Sequence, residues 1–154
     1  MIRICIVGDI GSGKSYVAKQ FKYPVFAADD EVIKIYRKNK KCFKKLKKIF
    51  PKYIISFPIN KKELSQTIMS GKNNINKIIK IIHPEVRLRM NKFLKKNKKK
   101  KAVVLDIPLY FENKINKKED IIVFVDSKKS QINSRLKKRS EFNSLLKTFD
   151  YKFA

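Results

Sequence analysis

Eight residues near the N-terminus, Gly8-Asp9-Ile10-Gly11-Ser12-Gly13-Lys14-Ser15, leave this chain few folds to choose from. They follow the apolar run Arg3–Val7, which reads as a buried strand. They precede Val17, Ala18 and Phe21, whose spacing predicts a helix from Lys14. The pattern G-x-x-x-x-G-K-S in a strand–loop–helix context builds a phosphate cradle. Small residues let backbone N–H groups turn inward around phosphate oxygens. The helix start adds about half a positive charge. Lys14 then reaches the β- and γ-phosphates of a nucleotide, and the Ser15 hydroxyl suits Mg²⁺. Three of the four glycines in the chain lie in this one loop. Asp9 is out of character there, because a carboxylate beside a polyphosphate is repulsive unless it points away.

Three further apolar runs read as strands: Tyr23–Phe26, Ala102–Leu105 ending at Asp106, and Ile121–Val125 ending at Asp126. All are short and continuous, the pattern of parallel strands covered on both faces. Alternation with helices predicts an α/β P-loop fold, three layers α/β/α around a short parallel sheet. Between the second and third strands lies a helical insert. Phe43, Leu46 and Phe50 keep one face, and Ile75, Ile78, Ile79 and Ile82 repeat at helical spacing. Asn60 with Glu63 three residues on predicts a capping box. Pro84 is expected in the first turn of a helix carrying Val86, Met90, Phe93 and Leu94. The expected division is a nucleotide-binding core over 1–34 and 100–127, a substrate-binding insert over 35–99, a lid over 128–142 and a divergent tail over 143–154.

Composition sets the outer bounds. No apolar run approaches the ~18 residues of a membrane span, and Met1–Val7 lacks a signal-peptide cleavage pattern. Cys5 and Cys42 have neither C-x-x-C nor zinc spacing and suit a reducing cytoplasm. The net charge of +26 admits a nucleic-acid partner. Only six of the 39 basic residues are arginine, however, and Ile and Asn are also abundant. AT-rich codons would give that same Lys/Ile/Asn skew. No nucleic-acid motif, and no aromatic set among the basic runs, accompanies the charge.

Other residues carry chemistry at the predicted strand ends, where ligands of open α/β sheets bind. Asp29, after the second strand, is placed to accept a proton from an attacking hydroxyl, or to serve as a helix-start acid beside Asp30 and Glu31. Asp106 stands where an acid holds Mg²⁺ or its water, or else opens the Asp106-Ile107-Pro108 turn. His83, the only histidine, and Arg87 lie one turn apart and could grip an anion together, or be structural. Gln131, Arg135 and Arg139 form a polar stripe beside the apolar Ile132 and Leu136. Two arginines there could close over a transferring phosphoryl group, or form a solvated basic face. These residues by themselves point to an ATP-dependent phosphotransferase and leave the acceptor open.

The ordered set resembles the dephospho-coenzyme A kinase family, from the N-terminus to about Arg139. The loop Gly8–Ser15 resembles its G-G-I-G-S-G-K-S, and Ala27-Ala28-Asp29 its D-A-D. His83-Pro84-Glu85-Val86-Arg87 resembles H-P-x-(I/V)-R, and Asp106-Ile107-Pro108-Leu109-Tyr110-Phe111-Glu112 resembles D-x-P-L-L-F-E. The resemblance implies transfer of the ATP γ-phosphate to the ribose 3′-hydroxyl of dephospho-coenzyme A, the last step of coenzyme A biosynthesis. It implies Asp29 as general base, Gly11, Ser12, Gly13, Lys14, Ser15 and Tyr16 as ATP-binding, and Ser15 with Asp106 at Mg²⁺. It implies His83 and Arg87 facing substrate, and Lys14, Arg135 and Arg139 serving the transferred phosphate. Another small-molecule P-loop kinase, or a basic nucleic-acid-binding protein, are the alternative readings.

Three departures bear on that expectation. Ala27 replaces the first Asp of D-A-D, and Tyr16 stands where Thr is usual. Ser140–Ala154 matches none of the family's later lid helix, final strand or adenine-contacting Asn. A truncated or frameshifted ending is therefore expected, with an exposed sheet edge, lower stability and impaired turnover.

Overall fold

The computed structural model describes residues 1–108 and 114–138. The motif positions 109–112, Arg139 and the tail from 140 onward lie outside the described residues. The elements run β1 (Ile2–Val7), α1 (Lys14–Gln20), β2 (Val25–Ala27), α2 (Ala28–Lys38), α3 (Lys40–Ile49), α4 (Lys61–Met69), α5 (Asn74–Lys96), β3 (Ala102–Asp106), β4 (Ile121–Phe124) and α6 (Lys129–Lys138). The chain divides into two compact units: Met1–Asp29 with the residues from Lys92 onward, and Asp30–Asn91.

The first unit is built on a parallel sheet in the order β2-β3-β1-β4. Alternation sorts its side chains to two faces. Ile4, Ile6, Ala102 and Val104 turn to one face and bury against Ala18, with Val17 of α1 and Phe21 just beyond it packed at the margin. Phe26 lies on the other face, with its ring 5.6 Å from Phe93 of α5. Helices therefore cover both faces, the predicted α/β architecture. Arg3 brings a charge into β1. It is neutralised by Asp120, with Nε 3.0 Å from Oδ1, and Nη2 donates to the Ile115 carbonyl at 2.9 Å. Buried charge is tolerated only when paired in this way.

The strand order fixes where a ligand can sit. The chain leaves β1 toward β2 on one side and leaves β3 toward β4 on the other. The ends of β1 and β3 thus flank the point where the winding reverses, the usual ligand crevice of such sheets. Ile6 of β1 is in register with Asp106 of β3, so the Gly8 loop and the Asp106 carboxylate emerge side by side.

One strand departs from the expectation of cover on both faces. In β4, Ile121, Ile122 and Phe124 are 49%, 40% and 68% exposed. Among the described residues β4 bonds only to β1, at the edge of the sheet. Apolar content marks a strand, but only its place in the sheet decides its cover.

The second unit is helical. Ile35 and Tyr36 of α2, Cys42 and Leu46 of α3, Leu64 of α4 and Ile75, Ile78, Ile79 and Ile82 of α5 are buried; spacing predicts this for Leu46 and the four isoleucines, while Phe43 of the same predicted face is half-buried. Burial raises the Tyr36 phenol well above its usual range, with Cys42 adding to the effect. Two local expectations are corrected. Asn60 does cap α4, accepting from the Glu63 amide at 2.9 Å. The Glu63 carboxylate, however, accepts from Ser56 Oγ at 2.8 Å and the Ser56 amide at 3.1 Å, so that a loop residue takes the return arm of the box. Pro84 lies inside α5, not in a first turn. Proline removes one hydrogen bond and disfavours a helix interior. Here Ile75, Ile78, Ile79 and Ile82 before it and Met90 after it are buried, and these anchors hold one helix across the break.

Candidate active site

The loop between β1 and α1 has the backbone that a phosphate cradle requires. Gly8 and Gly13 have φ of 143° and 102°, a region side-chain-bearing residues rarely enter. Gly8 is also sterically compelled, since a Cβ there would lie 2.2 Å from the Val125 carbonyl oxygen. The Ser12 amide donates to the Asp9 carbonyl at 3.1 Å and closes the turn. Asp9 is exposed and contributes its carbonyl, which resolves the oddity of an acid in this loop.

Lys14 folds over its own loop. Its Nζ donates to the Gly8 carbonyl at 2.9 Å and to the Asp9 carbonyl at 2.8 Å. The ammonium is thereby held across the mouth of the turn, where a polyphosphate would meet it. Ser15 donates its hydroxyl to Asp106 Oδ2 at 2.7 Å, joining the loop to the tip of β3. Of the two readings of Asp106, the structure supports an acid aimed at the loop hydroxyl. Tyr16 is 71% exposed, and its backbone N–H lies in the first turn of α1.

Asp29 follows β2, which ends at Ala27, and stands in the first turn of α2 instead of on the strand itself. Ala27 is in register with Asp106. Asp29 is exposed and leaves the sheet at the same carboxyl end as the loop. Its strand lies two positions from β1, or about 10 Å of backbone spacing.

Arg135 of α6 lies on the loop. Its Nη1 donates to the carbonyls of Gly11 and Ser12, both at 3.0 Å, and to Ser127 Oγ at 3.2 Å. Ile132 and Leu136 come so close to Gly11 that a Cβ there would meet both at 3.1 Å. The apolar and basic stripes of α6 thus serve the same loop. Ser127 donates to the Ser12 carbonyl at 2.7 Å. The sequence reading passed over Ser127. Its position just beyond the carboxyl end of β4 was the available signal.

In the second unit, His83 and Arg87 share a face of α5 with Ile79, Lys80, Leu88 and Asn91, along an open groove of about 630 Å³. Burial pushes the His83 imidazole below its ordinary pKa, and the charge of Arg87 adds to this. The neutral form of the imidazole is thereby favoured. Nearby, Arg89 joins Glu85 at 3.2 Å and Glu31 at 3.0 Å, a pairing between α5 and α2 that sequence spacing could not show.

Mg²⁺ prefers oxygen donors and few protein ligands, with phosphates and waters completing its shell. The Ser15 hydroxyl and Asp106 carboxylate, hydrogen-bonded to each other, fit that chemistry. Among the described residues no group of three or more His, Cys, Asp or Glu forms an all-protein cage. No helix among them is long and apolar enough to cross a membrane.

Comparison with known proteins agrees with this geometry. The family model for dephospho-CoA kinase matches residues 2–146. A dephospho-CoA kinase of Bartonella quintana is 32% identical over 145 residues, covering 91% of this chain and 74% of that protein. One of Zymomonas mobilis is 32% identical over 130 residues, covering 82% of this chain and 66% of its own length. One of Bacillus anthracis is 31% identical over 149 residues, covering 91% and 74%. The crystal structure of TT1252 from Thermus thermophilus superposes with a TM-score of 0.72 at 29% identity, covering 94% of this chain and 76% of that one. The family model spans most of the chain, and relatives above 30% identity are matched over most of their own length, so the chain belongs to the dephospho-CoA kinase family.

Proposed function

We propose that this chain transfers the γ-phosphate of ATP to the ribose 3′-hydroxyl of dephospho-coenzyme A. The observation that carries the proposal is the Ser15–Asp106 hydrogen bond at 2.7 Å at the winding reversal, beside a loop mouth spanned by Lys14. Gly11, Ser12, Gly13, Lys14, Ser15 and the Tyr16 backbone receive the ATP phosphates. Inward N–H groups and the Lys14 ammonium stabilise charge on the transferring group without reorganisation at the moment of reaction. Asp29 takes the proton from the 3′-hydroxyl as its oxygen bonds to the γ-phosphorus and the bond to ADP breaks.

Ser15 and Asp106 would hold Mg²⁺, which when bound neutralises charge on the β- and γ-phosphates. Arg135, lying on the loop, and Arg139, four residues on, bring positive charge to the phosphoryl group from the segment proposed as a lid. His83 and Arg87 take the substrate-facing role that their motif implies, within the helical region proposed to hold the acceptor. A neutral His83 donates or accepts a hydrogen bond, while Arg87 supplies charge for an anionic group. The buried free thiols of Cys5 and Cys42 suit a cytoplasmic setting.

The test is ADP release with ATP and Mg²⁺, comparing dephospho-coenzyme A with nucleosides and nucleoside monophosphates as acceptors. The proposal expects release that depends on dephospho-coenzyme A. Release driven better by a nucleoside or nucleotide would assign the chain to another acceptor.

A further inference from the structure

We infer that Ser127 is a positioning residue for ATP, aiming the Gly13 amide into the phosphate cradle. The inference rests on the proposal that the Gly8–Ser15 loop binds ATP phosphates. It assigns a role to a residue in none of the motifs. Across a trans peptide the carbonyl and the following N–H point in opposite directions. Fixing the Ser12 carbonyl therefore fixes the direction of the Gly13 N–H.

Two donors hold that carbonyl from outside the loop: Ser127 Oγ at 2.7 Å and Arg135 Nη1 at 3.0 Å. The two also bond to each other at 3.2 Å, so Ser127 steadies the arginine that shares its task. The neighbouring peptide is held at both ends, with the Gly11 carbonyl on Arg135 and the Ser12 amide on the Asp9 carbonyl. Among the described residues no such local backbone tether holds the amide side of the Ser12–Gly13 peptide, and its conformation is one that glycine adopts at little cost in either sense, with φ at 102°. Its orientation thus depends on what grips the carbonyl. Ser127 reaches it because the β4 exit is fastened to the loop. The Val125 amide donates to the Val7 carbonyl at 2.8 Å, and Gly8 lies against the Val125 carbonyl.

The experiment compares the unaltered chain with Ser127→Ala and Ser127→Thr. It reads the KM for ATP, the KM for dephospho-coenzyme A, kcat, the melting temperature and the ¹⁵N–¹H resonance of Gly13. Loss of one neutral hydrogen bond predicts an ATP KM raised about 3- to 10-fold in Ser127→Ala. The acceptor KM and melting temperature stay unchanged, and the Gly13 amide resonance shifts. Ser127→Thr, which keeps the hydroxyl, restores the ATP KM. An unchanged ATP KM in Ser127→Ala overturns the assignment, and so does a parallel rise in both KM values with a fall in melting temperature. Failure of the unaltered chain to use ATP would sink the underlying reading as well, which separates the two failures.

Discussion

The two places where this chain presents chemistry are built differently. In the β-sheet unit, the loop Gly8–Ser15 is held from several sides. Lys14 bridges two of its carbonyls, Ser15 reaches Asp106, and Ser127 and Arg135 grip its outer edge. In the helical unit, His83 and Arg87 stand on an open groove along one helix, among apolar and basic neighbours. The first is preorganised, as stabilisation of a transferring phosphoryl group requires. The second offers charge and surface, which is what binding an acceptor asks for. Substitutions in the loop should therefore act on kcat, on the KM for ATP or on folding, and substitutions on the groove on the KM for the acceptor.

The sharpest way to break that contrast is Lys14→Ala. It should lower turnover by about 100- to 1,000-fold, the scale of removing a preorganised charge, with the melting temperature little changed. Steady-state kinetics and a thermal melt check both halves. Turnover within a few-fold of the unaltered chain would show that the loop is not the phosphate cradle.

Gly8→Ala comes next. A methyl group 2.2 Å from the Val125 oxygen, at φ 143°, forces the loop off β4. A cost of about 2–3 kcal/mol is expected, in line with strained backbone positions, and urea unfolding would measure it. An unaltered midpoint would mean that the loop and the β4 exit are less tightly joined than described.

Arg87→Ala tests the groove. It should raise the KM for dephospho-coenzyme A about tenfold, the scale of one charge-assisted hydrogen bond, with kcat and the ATP KM nearly constant. If kcat falls and the acceptor KM does not, the division between loop and groove fails.

The smallest effect is on stability against pH, and it belongs to the helical unit. Burial disfavours the protonated form of His83 and lowers its pKa from the ordinary 6.5, so stability it contributes above that pH is lost as acid is added. Burial works against ionisation of Glu31, but hydrogen bonds from Lys34 and Arg89 outweigh it and hold the carboxyl below its ordinary 4.5. Its contribution is present above that value and is lost as pH falls through the lowered one. Each group should contribute under about 1 kcal/mol, given partial exposure. Unfolding midpoints of His83→Gln and Glu31→Gln between pH 7 and 3 should show the upper and lower parts of the decline disappearing separately.

The contrast between loop and groove also explains what the sequence could and could not reveal. The strand–loop–helix is legible because its requirements are local: an apolar run, glycines where φ must be positive, then Lys14 and Ser15. Asp106 is legible as the first acid after an apolar strand. Pro84 misleads because local rules put proline at a helix start, while buried isoleucines earlier in the same helix keep it whole. Glu63 misleads because Ser56, a loop residue, competes for its carboxylate. An exposed sheet edge is expected from the sequence, but that β4 carries it is not legible, because edge or centre is a property of strand order. Ser127 carries no motif. Its task exists only once the β4 exit has been fastened beside the loop. The segments 109–113 and 139–154, Arg139 among them, lie outside the described residues, while the family match covers 109–113 and runs to residue 146.

The central claim is that the cradle delivers phosphate to one ribose hydroxyl. It is tested most directly by identifying the product formed from ATP and dephospho-coenzyme A by ³¹P NMR and mass spectrometry. The account predicts a new phosphomonoester on the ribose 3′ oxygen, appearing in step with ADP. ATP consumed to inorganic phosphate with the acceptor unchanged, or a phosphate placed on another oxygen, would contradict it.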